Sequence, residues 1–241
     1  MPIKAITFDF WSTLYRPSAV DYKQRQQFLK ATIERYSQQQ VEGEQFKAAV
    51  GMARDIWHRA WVQEHRTIGA AEWLTTILTE LDISLEAEAF GRVEIFLEDG
   101  IMQHRPTLVA EAHQVLAELA KEYRLALISD SGVTPGRVLR QIMEEDEAAA
   151  YFQHLTFSDE IGRSKPHPEA FTKTLDILGV APAEAVHVGD LLRTDIVGAQ
   201  GVGMRGVQYV GVSRDGWAEQ AVTPDAVINN HQGLMALLSA W

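Results

Sequence analysis

"IKAITFDFWSTLY", residues 3–15, holds the reading that decides the fold. The apolar run Ile3–Phe8 does not alternate with polar residues as a half-exposed strand would. It suits a strand of a parallel sheet buried on both faces. Asp9 ends the run, and the hydroxyl pair Ser12-Thr13 follows. In an open parallel sheet, ligands meet the chain beyond the carboxyl ends of the strands, so Asp9 is the first candidate for chemistry.

Working outward, short strand-like runs recur at Leu125–Ser129, Leu155–Ser158, Ala185–Val188, Gly206–Val210 and Ala226–Ile228. Apolar residues at helical spacing lie between them: Leu108, Val109, Ala112, Val115, Leu116 and Leu119, then Phe171, Leu175 and Leu178 with Gly179 at the capping position, then Ile196 and Ala199. Alternating strands and helices imply βαβ units and a Rossmann-like parallel sheet. Residues 17–100 break the rhythm. Val20–Tyr36, Glu44–Glu64, Ala70–Leu81 and Leu85–Asp99 read as helices, with Leu74, Ile77, Leu78 and Leu81 in one apolar stripe. The expected organisation is an α/β core built from 1–16 and 101–241, carrying an inserted all-helical cap at 17–100.

With 241 residues, 46% of them hydrophobic, the chain can bury a sizeable core. Its net charge of −11 disfavours nucleic acid and anionic membranes as partners. An anion site here needs local positive potential from a metal, a lysine or helix N-termini. The absence of cysteine excludes disulfides and thiol chemistry and favours a cytoplasmic location. Asp9 interrupts the first apolar run, so the start does not read as a signal peptide, and no run approaches membrane-spanning length. The oligomeric state is not legible. The acidic run Glu144–Glu147 reads as a solvated helix face.

The expected strand ends gather a consistent set: Asp9; Ser129 and Asp130; Lys165 in "GRSKPHPEAF" (162–171); Asp190 and Asp195 in "VHVGDLLRTDIVGA" (186–199). Alone, each has a plainer reading as a cap or turn residue. Together they suit phosphoryl chemistry. Asp9 and Asp190 are hard oxygen ligands for Mg²⁺. Asp9 can attack phosphorus. Lys165 and the Ser129 hydroxyl can hold the phosphate oxygens, with backbone N–H groups of residues 9–13 adding to the cradle. His187, inside a strand, reads as a hydrogen-bonded structural residue, and His167 as loop surface.

Four motifs in this order, "DFWST", "LISDSG", "GRSKPHPEAF" and "VHVGDLLRTDIVGA", resemble those of the haloacid dehalogenase superfamily, in the branch with a helical cap inserted after the first strand. The resemblance covers essentially the whole chain. It implies Asp9 as nucleophile and metal ligand, the Trp11 backbone carbonyl as a second ligand, and Ser129, Asp130 and Lys165 at the phosphate. It also implies Asp190 as a metal ligand, supported by Asp195. The implied activity is Mg²⁺-dependent hydrolysis of a small phosphomonoester through an aspartyl phosphate.

Trp11 departs from that pattern. Phosphatases of the superfamily usually carry a second aspartate there, which protonates the leaving alcohol, and such help is worth ~10²–10⁴-fold. Either turnover is slow or the acid comes from elsewhere: Asp130, or His58, His65 or Arg16. An aromatic residue at this position resembles the metal-independent 2-haloacid dehalogenases, whereas the acidic motif is of the metal-binding type. A member that binds a phosphorylated ligand or a protein without turnover is the remaining alternative. Trp57, Trp61 and Trp73 read as the core of the helical segment, with the sharper alternative that one lines the substrate pocket. Arg54, Arg59 and Arg66 are candidates for anion contact against the commoner surface role.

Overall fold

A computed structural model describes residues 2–19, 22–212 and 222–241, so positions 20 and 21, where the first inserted helix was expected to begin, lie outside the described residues. Strand β1 (Ala5–Phe8) is followed by a tight loop and the two-residue β2 (Tyr15–Arg16). Four helices come next: α1 (Tyr22–Ser37), α2 (Gly43–Arg59), α3 (Ala70–Glu80) and α4 (Ala87–Asp99). The chain returns through β3 (Thr107–Leu108), which pairs antiparallel with β2. The rest alternates: α5 (Ala112–Leu119), β4 (Arg124–Ser129), α6 (Gly136–Glu145), β5 (His154–Phe157), α7 (Ser158–Ile161), α8 (Pro168–Leu178), β6 (Ala185–Gly189), α9 (Val197–Gly201), β7 (Arg205–Tyr209), β8 (Ala226–Ile228) and α10 (Gln232–Ser239).

The main sheet has six strands in the order β5-β4-β1-β6-β7-β8, and every pairing is parallel. This is the α/β, Rossmann-like architecture that the apolar runs imply. Successive side chains of a strand point to opposite faces, and the two faces are filled differently. Ile6, Phe8, Leu125, Leu127, Val186 and Val188 pack with α5, α6 and α10. Ala5, Ala126 and Ala185 share the other face with Phe171, Leu175 and Leu178 of α8. Helix α8 starts at Pro168 behind the His167 cap and ends at Gly179 in the left-handed conformation (φ 63°), as the sequence indicates.

Helices α1–α4 enclose a separate buried cluster that includes Leu29, Ile33, Phe46, Leu74, Ile77, Leu78, Val93 and Leu97. Some details differ from the sequence reading. Helix α2 stops at Arg59 and passes into a wide π-type turn, Ala60–Glu64, closed by His65 in the left-handed region (φ 50°). Leu108 belongs to β3, not to the helix that follows. Among the described residues no helix is long and apolar enough to cross a membrane.

Candidate active site

The centre of the site is a buried lysine. The Lys165 ammonium donates to Asp9 at 2.5 Å and to Asp195 at 2.6 Å, and all three side chains are almost wholly excluded from solvent. Three elements set this up. Asp9 directly follows β1 and its N–H donates to the Val188 carbonyl of β6. Lys165 lies in the loop before α8, its own N–H donating to the Asp130 carboxylate at 2.8 Å. Asp195 sits in a second π-type turn, Leu192–Ile196, a widening that recurs at functional sites.

Asp195 is fixed from every side. Besides Lys165, one carboxylate oxygen meets His187 Nε2 at 3.0 Å, and the other accepts from the Leu191 N–H at 3.0 Å and from the Thr194 hydroxyl. His187 is fully buried and its Nδ1 lies 2.8 Å from the Thr7 hydroxyl, so the imidazole ties β1 to Asp195. Gly189 completes the fit: a Cβ at that position would fall on the Asp195 carboxyl carbon. We expect Gly189→Ala to displace Asp195 and with it Lys165. A shift of about 1 Å can cost ~10²-fold in rate, and overpacking costs roughly 1–3 kcal/mol. Turnover and chemical denaturation of the variant check this, and unchanged turnover would mean that the Asp195 position does not matter.

The electrostatics follow from burial. Desolvation pushes the Asp9 carboxyl up; Lys165 opposes and Asp195 adds to the rise, leaving it at about 7. Asp190 is pushed to about 8 by burial and by the charges of Asp9 and Asp195. Burial also raises Asp130, against Lys165. Desolvation would raise Asp195 too, but Lys165 and then His187 outweigh it and hold this carboxyl well below the ordinary range. Burial would lower Lys165; Asp195, Asp9 and Asp130 outweigh it and keep the ammonium charged far above its usual pKa. One lysine is thus set against Asp9, Asp130, Asp190 and Asp195, an excess of negative charge within one region.

A cavity of ≈ 690 Å³ opens onto this cluster. Asp9, Asp130, Lys165, Asp190 and Asp195 line it together with Trp11, Ser12, Ser131 and Thr194. The opposite wall comes from the helical segment: Arg25, Leu29, Arg54, Trp57, Trp61, Trp73 and Leu97. Ser129 is buried, donates to the Asp130 carbonyl at 3.2 Å, and is not among the lining residues, whereas Ser131 is. The expected backbone cradle is reduced, since the Asp9 and Ser12 N–H groups are bonded to Val188 and Tyr15 carbonyls.

Of the substitute acids considered for position 11, only Asp130 lines the cavity, while Arg16 and His58 are exposed. His65 lies nearby but outside the lining; its backbone carbonyl accepts from Ser164, and burial with Arg193 lowers its pKa. Arg66 pairs with Glu72, and Arg59 is exposed away from the cavity; Arg54 alone of the three candidate arginines lines it. His167 caps α8, accepting from the Glu169 N–H at 3.3 Å.

Sequence reasoning missed the contacts between the helical segment and the sheet. Trp61 Nε1 donates to the Asp130 carboxylate at 2.8 Å, Trp11 Nε1 donates to the Asp130 carbonyl at 3.2 Å, and the Arg193 guanidinium lies 4.1 Å over the Trp61 ring. The Arg25 and Arg193 positions carried no signal, because a lone arginine on a helix is ordinarily surface.

Among the described residues no group of three or more His, Cys, Asp or Glu side chains is arranged to hold a metal by itself. Asp195 has both oxygens engaged and Asp130 has a donor at each oxygen, which leaves Asp9 and Asp190 as the cavity-lining carboxylates with an oxygen not bonded among the described residues. Their mutual repulsion fits Mg²⁺, which is typically bound by one or two carboxylates with water and substrate phosphate completing its shell.

The chain is 24% identical over 241 residues to the N-acylneuraminate-9-phosphatase of Rattus norvegicus, covering 99% of this chain and 94% of the relative. It is 39% identical over 104 residues to the glyceraldehyde 3-phosphate phosphatase of Pyrococcus furiosus, a match spanning 42% of this chain and only 41% of that relative's length. Among solved structures, a 2-haloacid dehalogenase from Pseudomonas syringae pv. Tomato superposes with a TM-score of 0.68 at 26% identity, covering 99% of both chains. The family model of the haloacid dehalogenase-like hydrolases matches residues 3–203. The chain belongs to the haloacid dehalogenase-like hydrolase family.

Proposed function

We propose that the protein is a Mg²⁺-dependent phosphatase acting on a small phosphomonoester through an aspartyl phosphate at Asp9. The observation that carries this reading is the buried Asp9–Lys165–Asp195 cluster beside Asp190 in one cavity. Asp9 is the nucleophile. Lys165, held by Asp195, keeps Asp9 oriented and offers its charge to the phosphate oxygens. Asp9, Asp190 and the Trp11 carbonyl would hold Mg²⁺, which when bound offsets the charge of the phosphoryl group. Asp195 positions Lys165 and does not face the metal. Ser129 and Asp130 shape the phosphate pocket. Residues 17–100 act as a cap domain over a core of 1–16 and 101–241, and the cap wall selects the substrate and excludes water. The relatives named as phosphatases support the reaction class. The test is phosphate release from a panel of sugar, nucleotide and aryl monophosphates, with Mg²⁺ and with EDTA.

A second reading, a metal-independent 2-haloacid dehalogenase, is favoured by Trp11 and by the 2-haloacid dehalogenase neighbour. It leaves Asp190 without a role, because a halide departs without a cation to assist it. It predicts halide release that survives EDTA.

The pair Asp9 and Asp190 gives the phosphatase reading a pH signature. Their carboxyls sit at about 7 and about 8 against an ordinary 3.8. Between those values the folded chain binds more protons than the unfolded one. The contribution of this pair to stability is therefore greatest at low pH and falls as pH rises from about 4 to about 8. A cation between them competes with the protons. Saturating Mg²⁺ should raise the melting temperature more at pH 8 than at pH 5, with about 2.7 kcal/mol expected at a hundredfold excess over Kd. An equal shift at both pH values would count against this pair as the ligands.

A further inference from the structure

Resting on the phosphatase reading, we propose that the substrates are phosphate esters of acidic, aromatic hydroxyl groups, not of alkyl alcohols or sugars. Two separate observations lead there.

The first is the wall facing Asp9. Trp57 and Trp61 stack with ring centroids 5.4 Å apart and planes 21° apart, and Trp11 and Trp73 line the same cavity. The wall is not loose. The Trp61 indole is tied to Asp130, and the Arg193 guanidinium packs over its ring at 4.1 Å. Flat indole faces take up a flat ring by offset or edge contacts. A polyol would leave hydroxyl groups unpaired against them, which costs free energy.

The second is the lack of a proton donor for the leaving oxygen. Trp11 has no exchangeable acid, and its indole N–H is engaged by the Asp130 carbonyl at 3.2 Å. Each Asp130 carboxylate oxygen is already engaged by a donor, one by the Lys165 N–H and the other by the Trp61 indole. Asp9 and Asp195 share the Lys165 ammonium, and Asp190 belongs to the proposed cation site. The remaining charged side chains of the lining, Arg25 and Arg54, are guanidinium groups, a type that does not serve as a proton donor in acid catalysis.

The leaving oxygen must therefore depart with its electron pair. An Asp9 oxygen forms the bond to phosphorus as the ester P–O bond breaks, and the oxyanion takes its proton from solvent. Water then attacks the phosphorus of the aspartyl phosphate, releasing inorganic phosphate and the Asp9 carboxylate, and its proton passes to solvent. Departure as an anion is far easier for a phenolic oxygen, with a pKa of roughly 10, than for an alkoxide, whose acid is comparable to water at about 15.7.

Phenyl, benzyl and butyl phosphate separate the two observations. Benzyl phosphate keeps the ring but leaves as an alkoxide, and butyl phosphate lacks the ring. With Mg²⁺, kcat/KM for phenyl phosphate should exceed that for benzyl phosphate by ~10² or more, the range that missing acid catalysis allows; kcat/KM reads the cleavage step, whereas hydrolysis of the aspartyl phosphate is common to both esters. Trp57→Ala should raise KM for phenyl phosphate about tenfold with little change for butyl phosphate. Trp11→Asp, which restores an acid, should narrow the phenyl-to-benzyl ratio about tenfold. Should that variant not fold, the wild-type dissociation constants of phenylphosphonate and butylphosphonate, read by tryptophan fluorescence, serve instead; phenylphosphonate should bind at least tenfold tighter. Equal kcat/KM for phenyl and benzyl phosphate, or equal binding of the two phosphonates, overturns this inference and leaves the phosphatase reading standing. No turnover of any ester above Asp9→Asn overturns the phosphatase reading and the inference with it.

Discussion

Lys165→Ala is expected to lower stability by roughly 3–5 kcal/mol and to abolish turnover. Removing one partner of a buried charge pair leaves the other uncompensated, which is the costly way to break it. Here the loss is shared by Asp9 and Asp195, both buried and both within 2.6 Å of the ammonium. Desolvation would then act on both carboxyls without the lysine to oppose it, so they should protonate near neutral pH. The variant should therefore regain part of its stability as pH is lowered, whereas the parent protein gains less from the same change. Denaturant titrations at pH 5 and pH 8 measure this. A variant as stable as the parent at pH 8 would show that the ammonium does not hold the cluster together.

Asp9→Asn is the second large effect, and its signature is the opposite. An asparagine is nearly the same size and still meets Lys165, while Asp195 keeps its own bond to the ammonium. Removing one raised carboxyl also relieves the repulsion on Asp190, whose pKa Asp9 helps to push up. Stability at pH 8 should be kept or gained. Turnover should fall by on the order of 10³-fold or more, because the amide cannot act as the nucleophile. A variant that keeps a tenth of the parent rate would remove Asp9 from the nucleophile role.

The two variants also show what the sequence could reveal. The sheet was legible because its strands are continuous apolar runs, and the run into Asp9 matches a strand buried along its full length. The convergence of Asp9, Lys165, Asp190 and Asp195 was legible through the rule that parallel strands deliver their ligands at one edge. The helical insertion was legible through the stripe Leu74, Ile77 and Leu78, all buried in its own cluster.

Other features had no such signal. The β2–β3 pair, where the chain leaves the sheet for the insertion and returns, is two residues long on each side, too short for any periodicity. The wide turns at Ala60–Glu64 and Leu192–Ile196 look helical in sequence and differ only in which carbonyl each N–H reaches. That His187 grips Asp195 while Asp195 grips Lys165 depends on β6 and the turn beyond it closing on Gly189, a packing fact that residue spacing does not encode. Trp61 reads from sequence as a core residue of the helical segment or as one that lines a pocket, and it lines the cavity. Its bond to Asp130 joins residues far apart in sequence and exists only because the insertion folds back over the strand ends.

Covalent capture on Asp9 tests the central claim most directly. The protein is mixed with p-nitrophenyl phosphate and Mg²⁺, quenched in acid within the first turnovers, digested and analysed by mass spectrometry, beside a parallel sample given 2-chloropropionate and EDTA. The account predicts one phosphoryl group on the peptide carrying Asp9, absent in Asp9→Asn and absent without Mg²⁺, and no adduct from the chloro acid. An unmodified Asp9 peptide with the phosphate ester, together with an ester of Asp9 formed from 2-chloropropionate in EDTA, would contradict it and make the carbon–halogen bond the one this carboxylate attacks.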